Sequence, residues 1–147
     1  MTMDQAVIDA LRAIRPTVID EDHFRTMKMY DLSSLFGGSL SLSVAPFSDY
    51  AFNPFYDGLT EWVKPHDTVI GIESCYPYGW ARPEEDLGKG VGSLVMEEIV
   101  FRDSYDHDAR LIYCETDKQG MRGLLEKYGF YAFDEDNPVL VPFYKFV

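Results

Sequence analysis

Basic residues are scarce in this 147-residue chain: 13 lysines and arginines stand against 25 aspartates and glutamates, for a formal net charge of −12. A sequence so poor in cations offers no basic stripe to neutralise phosphates, which argues against nucleic acid and anionic membrane surfaces as partners. Such a field either draws in a cationic molecule, an amine for example, or serves solubility alone, and charge does not decide between them. Cysteine is rarer still. Cys75 and Cys114 both lie in apolar, strand-like runs, the setting of buried reduced thiols rather than of a disulfide or metal site. The three histidines, His23, His66 and His107, are too dispersed to share a metal. The acidic run 103–108 lacks an EF-hand pattern and reads as a solvated helix-to-strand loop, so no metal is expected. No apolar run approaches the roughly 20 residues that cross a bilayer. The opening Met1-Thr2-Met3-Asp4-Gln5 carries an acid where a secretory signal carries bases, and a cytoplasmic protein is the expectation.

Apolar residues, by contrast, make up 46% of the chain, enough for the core of one domain spanning 1–147. Val7, Leu11 and Ile14 mark one face of a helix over 4–15, stopped by Pro16. A second helix is predicted over 20–35, with Phe24, Met27, Leu32 and Leu35 inward, broken by Gly37-Gly38. Leu40, Leu42 and Val44 alternate as a half-buried strand over 39–44. An aromatic, irregular stretch follows over 49–56, then a short helical turn over 59–63. The second half reads as a buried strand over 68–75, a helix over 93–101, a strand over 111–114 and a helix over 119–128 with Gly129 as its left-handed cap. Strands over 131–133 and 139–146 close the chain, joined by a turn over 134–138. Strand, helix, strand implies a right-handed parallel crossover, and hence one α/β (α+β) domain with a mixed sheet.

The densest signal is Leu87-Gly88-Lys89-Gly90-Val91-Gly92, between the strand over 68–75 and the helix over 93–101. Glycines at such a junction let backbone N–H groups surround an anion where the helix N-terminus adds positive charge; a plain tight turn uses the same residues. The run lacks the last glycine of a dinucleotide-binding loop and the Gly-Lys-Ser/Thr of a Walker loop. Gly90-Val91-Gly92, followed by Leu124-Leu125-Glu126-Lys127-Tyr128-Gly129-Phe130 and a closing pair of strands, resembles the GNAT-type N-acetyltransferase superfamily over about 68–147.

The resemblance implies a splayed parallel strand pair flanked by helices, and acetyl-CoA (coenzyme A) as the acetyl donor. It implies that Gly88, Lys89, Gly90, Val91, Gly92 and Ser93 hold the pyrophosphate, with Lys118 and Arg122 as candidates for the nucleotide's other phosphate. The acceptor is then a small-molecule or peptide amine, entering between the aromatic segment 50–62 and a lip of Tyr76, Tyr78 and Trp80, and a homodimer is left open. Glu73, a carboxylate in an otherwise apolar strand, is the candidate base that takes the amine proton; the alternative is that it faces solvent or pairs with a nearby cation. The sequence departs from the family pattern at Leu87, usually Gln or Arg, and at Pro77, which has no N–H for the pantetheine. Leu125 stands at the position of the usual tyrosine acid, for which Tyr128 is the candidate substitute. A GNAT-like module without catalysis, binding coenzyme A or a protein partner, therefore stands beside the enzyme reading.

Overall fold

A computed structural model describes residues 5–21, 25–35, 38–51, 54–76, 91–116, 119–133 and 141–147. Helix α1, Gln5–Ala13, ends before Pro16 and turns its one buried residue, Leu11, onto the sheet. Strands β1 (Thr17–Glu21), β2 (Thr26–Asp31), β3 (Ser39–Pro46) and β4 (Thr68–Tyr76) form an antiparallel meander. Strand β5, Leu111–Thr116, lies parallel to β4, and β7, Val141–Phe146, pairs between β5 and the two-residue β6, Tyr131–Ala132. The sheet order is thus β1-β2-β3-β4-β5-β7-β6, with one parallel pair at its centre, the mixed α/β sheet expected from the sequence.

In place of the helix expected over 20–35, the described residues include the end of β1 and all of β2, paired antiparallel. Met27, Leu32 and Leu35 suit a helical stripe, but Lys28 and Tyr30 are the residues of β2 that turn inward, at a spacing of two. Pairing with β3 along six residue pairs outweighs the local propensity. The helical turn expected over 59–63 forms and follows directly on α2, Pro54–Leu59, a helix that begins within the stretch expected to be irregular, with proline in the first position, where no N–H is required. The backbone N–H groups of Trp62 and Val63 then fold back on the Leu59 carbonyl.

The sheet is covered on both faces. Leu40, Leu42, Ile70, Ile112 and Phe143 pack on one face with Met96, Ile99 and Leu125 from the helices. Val69, Leu111 and Tyr113, alternating with Ile70 and Ile112, pack on the other with Phe47, Phe55, Leu59 and Val63. A 3₁₀ turn, Phe47–Tyr50, and α2 carry that second cover, where Phe47 and Tyr56 stack at 4.4 Å. Burial on both faces explains why Ser41 and Ser43, which alternation alone assigns to solvent, lie inside.

The crossover helix is longer than the expected 93–101. It runs over 91–106 as α3 (Val91–Val95), a π-helical stretch (Met96–Val100) and α4 (Phe101–Asp106). Its buried positions recur every four residues: 95 and 96, 99 and 100, 103 and 104. A regular α-helix would let that stripe drift round its surface, and the wider i→i+5 turns hold it against the sheet. Asp103 is therefore buried rather than part of a solvated loop. It receives Lys28 Nζ and, at 3.0 Å, the Tyr30 hydroxyl, while Lys28 Nζ also lies 2.8 Å from His107 Nε2. Helix α5, Gln119–Lys127, completes the layer and ends at Gly129, whose φ of 83° confirms the left-handed cap.

Lys28 and Asp103 are 10% and 4% exposed, so removing one strands the other's charge. Lys28→Met should lower unfolding stability by about 3–5 kcal/mol in denaturant titrations, and Lys28→Met with Asp103→Leu should recover most of it.

Candidate active site

The site begins where β4 and β5 stop pairing. Their register runs from Val69 opposite Leu111 to Ile72 opposite Cys114 and no further. Beyond it β4 continues to Tyr76 on β3, with Ser74 opposite Ser41, while β5 continues to Thr116 on β7. The facing edges thus diverge, and no strand among the described residues fills the gap. Two local causes lie in the sequence. On β3, Ser41 pairs with Ser74 but the next residue, Leu42, pairs with Ile72, so Glu73 is the extra residue of a bulge, which bends its strand. The next parallel pair would also set Glu73 against Glu115, two carboxylates, and like charges in register are unfavourable.

Glu73 does not hang free at this point. Its Oε1 accepts the Ser43 hydroxyl at 2.7 Å and the Arg25 guanidinium at 2.9 Å. These groups and the Tyr50 hydroxyl converge over Gly71: a Cβ there would stand 2.9 Å from both Glu73 Oε1 and the Tyr50 hydroxyl, and closer still to Ser43 Oγ. Arg25 and Glu73 are 36% and 32% exposed, so the cluster is open to a molecule arriving from outside. Tyr50 is pushed up from the ordinary phenol value of 10.0 to about 12, chiefly because burial disfavours the phenolate. Its ring lies 5.4 Å from Tyr113, whose hydroxyl donates to Glu115. Phe55 closes the aromatic wall, 4.2 Å from Tyr113.

Of the residues singled out from sequence, Glu73 stands at the parting of the strands, and the cation expected as its alternative partner is Arg25. Tyr128 stands elsewhere: its hydroxyl donates to Glu97 at 2.8 Å and to the Ser93 carbonyl at 3.4 Å, joining the end of α5 to the start of the crossover helix. Burial raises its pKa. Lys127 donates to Ser93 Oγ at 2.8 Å, which sets a cation beside the first turn of α3. Gly92 lies against Leu124, 3.0 Å from where a Cβ would be, and Arg122 is half-buried on α5. Val91 opens α3; Gly88, Lys89, Gly90 and Lys118 lie outside the described residues, as do Pro77, Tyr78, Trp80 and Leu87. Leu125 is wholly inside the helix-side core. Cys114 is buried, its Sγ 3.8 Å from the Glu115 carbonyl oxygen, and no cluster among the described residues suits a metal. Sequence reasoning missed Arg25 and Ser43. Arg25 falls in the segment misread as helix, and Ser43 is polar on an alternating strand, a pattern that points to solvent.

Neither a protein-family model nor a curated protein sequence matches the chain at a significant level. Its structure does match solved ones. Arabidopsis thaliana NAA60 in complex with acetyl-CoA superposes with a TM-score of 0.56 at 13% identity, over 86% of this chain and 78% of that one. A GNAT family acetyltransferase from Elizabethkingia anophelis, with acetyl-CoA bound, superposes with a TM-score of 0.52 at 11% identity, over 92% and 97%. The chain therefore has the GNAT acetyltransferase fold, with the mixed sheet and the parting parallel pair that the sequence resemblance implied. No helix among the described residues is long and apolar enough to cross a membrane.

Gly71→Ala should displace the Ser43–Glu73–Tyr50 cluster and destabilise the protein by about 1–3 kcal/mol, read from denaturant unfolding. Because the folded pKa of Tyr50 lies above the unfolded one, its contribution is complete below about pH 10 and lost as pH rises toward 12. The fall in melting temperature across that window should be shallower in Tyr50→Phe.

Proposed function

We propose that the protein is an acetyl-CoA-dependent N-acyltransferase acting by direct attack of an amine on the thioester. The observation that carries this reading is the divergence of β4 and β5 after Ile72 and Cys114, beside a carboxylate on a bulge. The peptide groups left along the 73–76 edge of β4 suit the amides of a pantetheine arm, which would lie there much as an added strand does. The glycine run ending in Gly92 and Ser93 leads into a 16-residue helix, 91–106, whose first N–H groups suit a pyrophosphate, and Lys127 supports the same end. Lys89, Lys118 and Arg122 are the bases we assign to the remaining phosphate charge.

Acetyl-CoA would supply an activated carbonyl: the C–N bond forms as the C–S bond breaks, and amine plus thioester become amide plus free thiol. The chain's own part is to position the acceptor and take its proton. Glu73 is assigned that proton, directly or through a water, since a protonated amine has no lone pair to attack with. Ser43 and Arg25 fix the carboxylate's direction, and Gly71 leaves the space in which it is reached. Tyr128, with its hydroxyl engaged by Glu97 and Ser93, is better suited to bracing α5 against α3 than to protonating the leaving thiolate. Neither cysteine is assigned a covalent role.

A second reading, a module that binds coenzyme A without turning it over, draws on Leu125, which fills the core at the family's tyrosine position. Acetyl-CoA at 100 times its dissociation constant should stabilise the protein by about 2.7 kcal/mol. A melting temperature unmoved by millimolar acetyl-CoA would remove both readings, and Gly90→Asp should abolish the shift. Given binding, Glu73→Gln should lower kcat of thiol release by about 100-fold with cofactor affinity unchanged. Binding without thiol release across a broad amine panel would leave the silent module.

A further inference from the structure

Strands β4 and β5 emerge from the core at the same level of the sheet. On β4 the residues Val69 to Ile72 are buried and Glu73 is the first to reach the surface; on β5 Glu115 is exposed while every other residue of the strand is buried. Gly71 lies beneath Glu73 and Tyr113 beneath Glu115, so both carboxylates stand on the aromatic face, where the strands part. Their counter-charges differ. Glu73 is met by the Arg25 guanidinium and the Ser43 hydroxyl. The Glu115 carboxylate accepts the Tyr113 hydroxyl, and no cation among the described residues pairs with it. From this difference we infer that the acceptor is an aliphatic diamine or polyamine, its reacting amine at Glu73 and a second ammonium on Glu115. The inference rests on the N-acyltransferase reading.

A carboxylate on an open surface is ordinary, but Glu115 is held in place. Tyr113 is buried, and its hydroxyl fixes the carboxylate beside the gap through a charge-assisted bond. The transfer then separates acceptors with one charge from those with two. The attacking nitrogen must be neutral. A monoamine ready to react has given up the only charge it carries, and in its charged form Glu115 draws it away from the base. A diamine reacts at one end and keeps its ammonium at the other. Of the two protons that leave the reacting ammonium, Glu73 takes one and the departing sulfur ends with the other. The C–N bond forms as the C–S bond breaks, giving a singly acetylated diamine and a free thiol. Glu115 keeps its partner throughout, and the neutral amide cannot replace that partner in a second turnover, so transfer stops at one acetyl group. Paired strands lie about 5 Å apart and these two diverge beyond their last pair, which sets the nitrogens about three to six carbons apart. A net charge of −12 also favours acceptors that arrive with more than one positive charge.

The test sets 1,3-diaminopropane, 1,4-diaminobutane, 1,5-diaminopentane and 1,6-diaminohexane against the amino alcohols of equal length, in thiol release with acetyl-CoA and in calorimetric titration of the CoA-loaded protein. Each amino alcohol keeps one amine and the carbon chain and carries a hydroxyl in place of the second ammonium. For at least one length, kcat/KM and affinity should favour the diamine by about tenfold or more, the size of one charge-assisted hydrogen bond, where a doubled number of amines alone gives about twofold. Glu115→Gln should bring that ratio down to the statistical value, and Glu115→Asp should keep part of it. Glu126→Gln, which removes an equal charge from the exposed side of α5, should leave the ratio intact. Mass spectrometry should find the singly acetylated diamine. Amino alcohols equal to diamines at every length would overturn the inference, as would an unchanged ratio in Glu115→Gln or a second acetylation as fast as the first. Preference for diamines in calorimetry without any thiol release would support the inference for binding and overturn the enzyme reading instead. Failure of every diamine to bind while acetyl-CoA still raises the melting temperature would overturn the inference alone.

Discussion

A strand can satisfy its backbone on two sides, and β4 does so along only part of its length. Up to Ile72 it is held by β3 and β5; beyond that point, among the described residues, β3 alone holds it. Every element of the domain answers to this geometry. The crossover helix must be long enough to return the chain to the start of β5, and β7 must occupy the far side of β5 so that its outer half is still paired.

The bulge at Glu73 concentrates several consequences in one residue. It shifts the register on β3, brings a carboxylate to the parting of the strands, and places it within reach of a serine from β3 and an arginine from the approach to β2. Gly71, two residues before it, matters through what it lacks: any side chain there would occupy the space on which those groups converge. Geometry and electrostatics thus come from the same backbone irregularity rather than from separately placed residues.

Much of this was legible in the chain. Unbroken apolar runs gave β4 and β5, the order of strand and helix gave their parallel pairing, and Gly129 marked the end of α5 by the conformation it adopts. The carboxylate in β4 was conspicuous because it interrupts an apolar run. What sequence concealed was non-local. Residues 20–35 carry an apolar spacing that suits a helix, and pairing with β1 and β3 is what makes 26–31 the strand β2. Asp103 looks like one member of an acidic loop, and its burial depends on the π-helical stretch that turns it toward Lys28. Arg25 and Ser43 acquire meaning from a register shift that no local pattern announces.

The parallel pair also sets the order in which the domain can be built. The hairpins of β1 to β3 close over short loops, whereas joining β4 to β5 requires the long connection between Ile72 and Leu111 to be gathered in first. Loop closure of that length is slow and yields no contacts until it is complete. Strand β5 is then secured on its other side only by β7, near the end of the chain. Forming the two walls of the cleft therefore carries a larger loop-closure cost than forming the meander of β1 to β4.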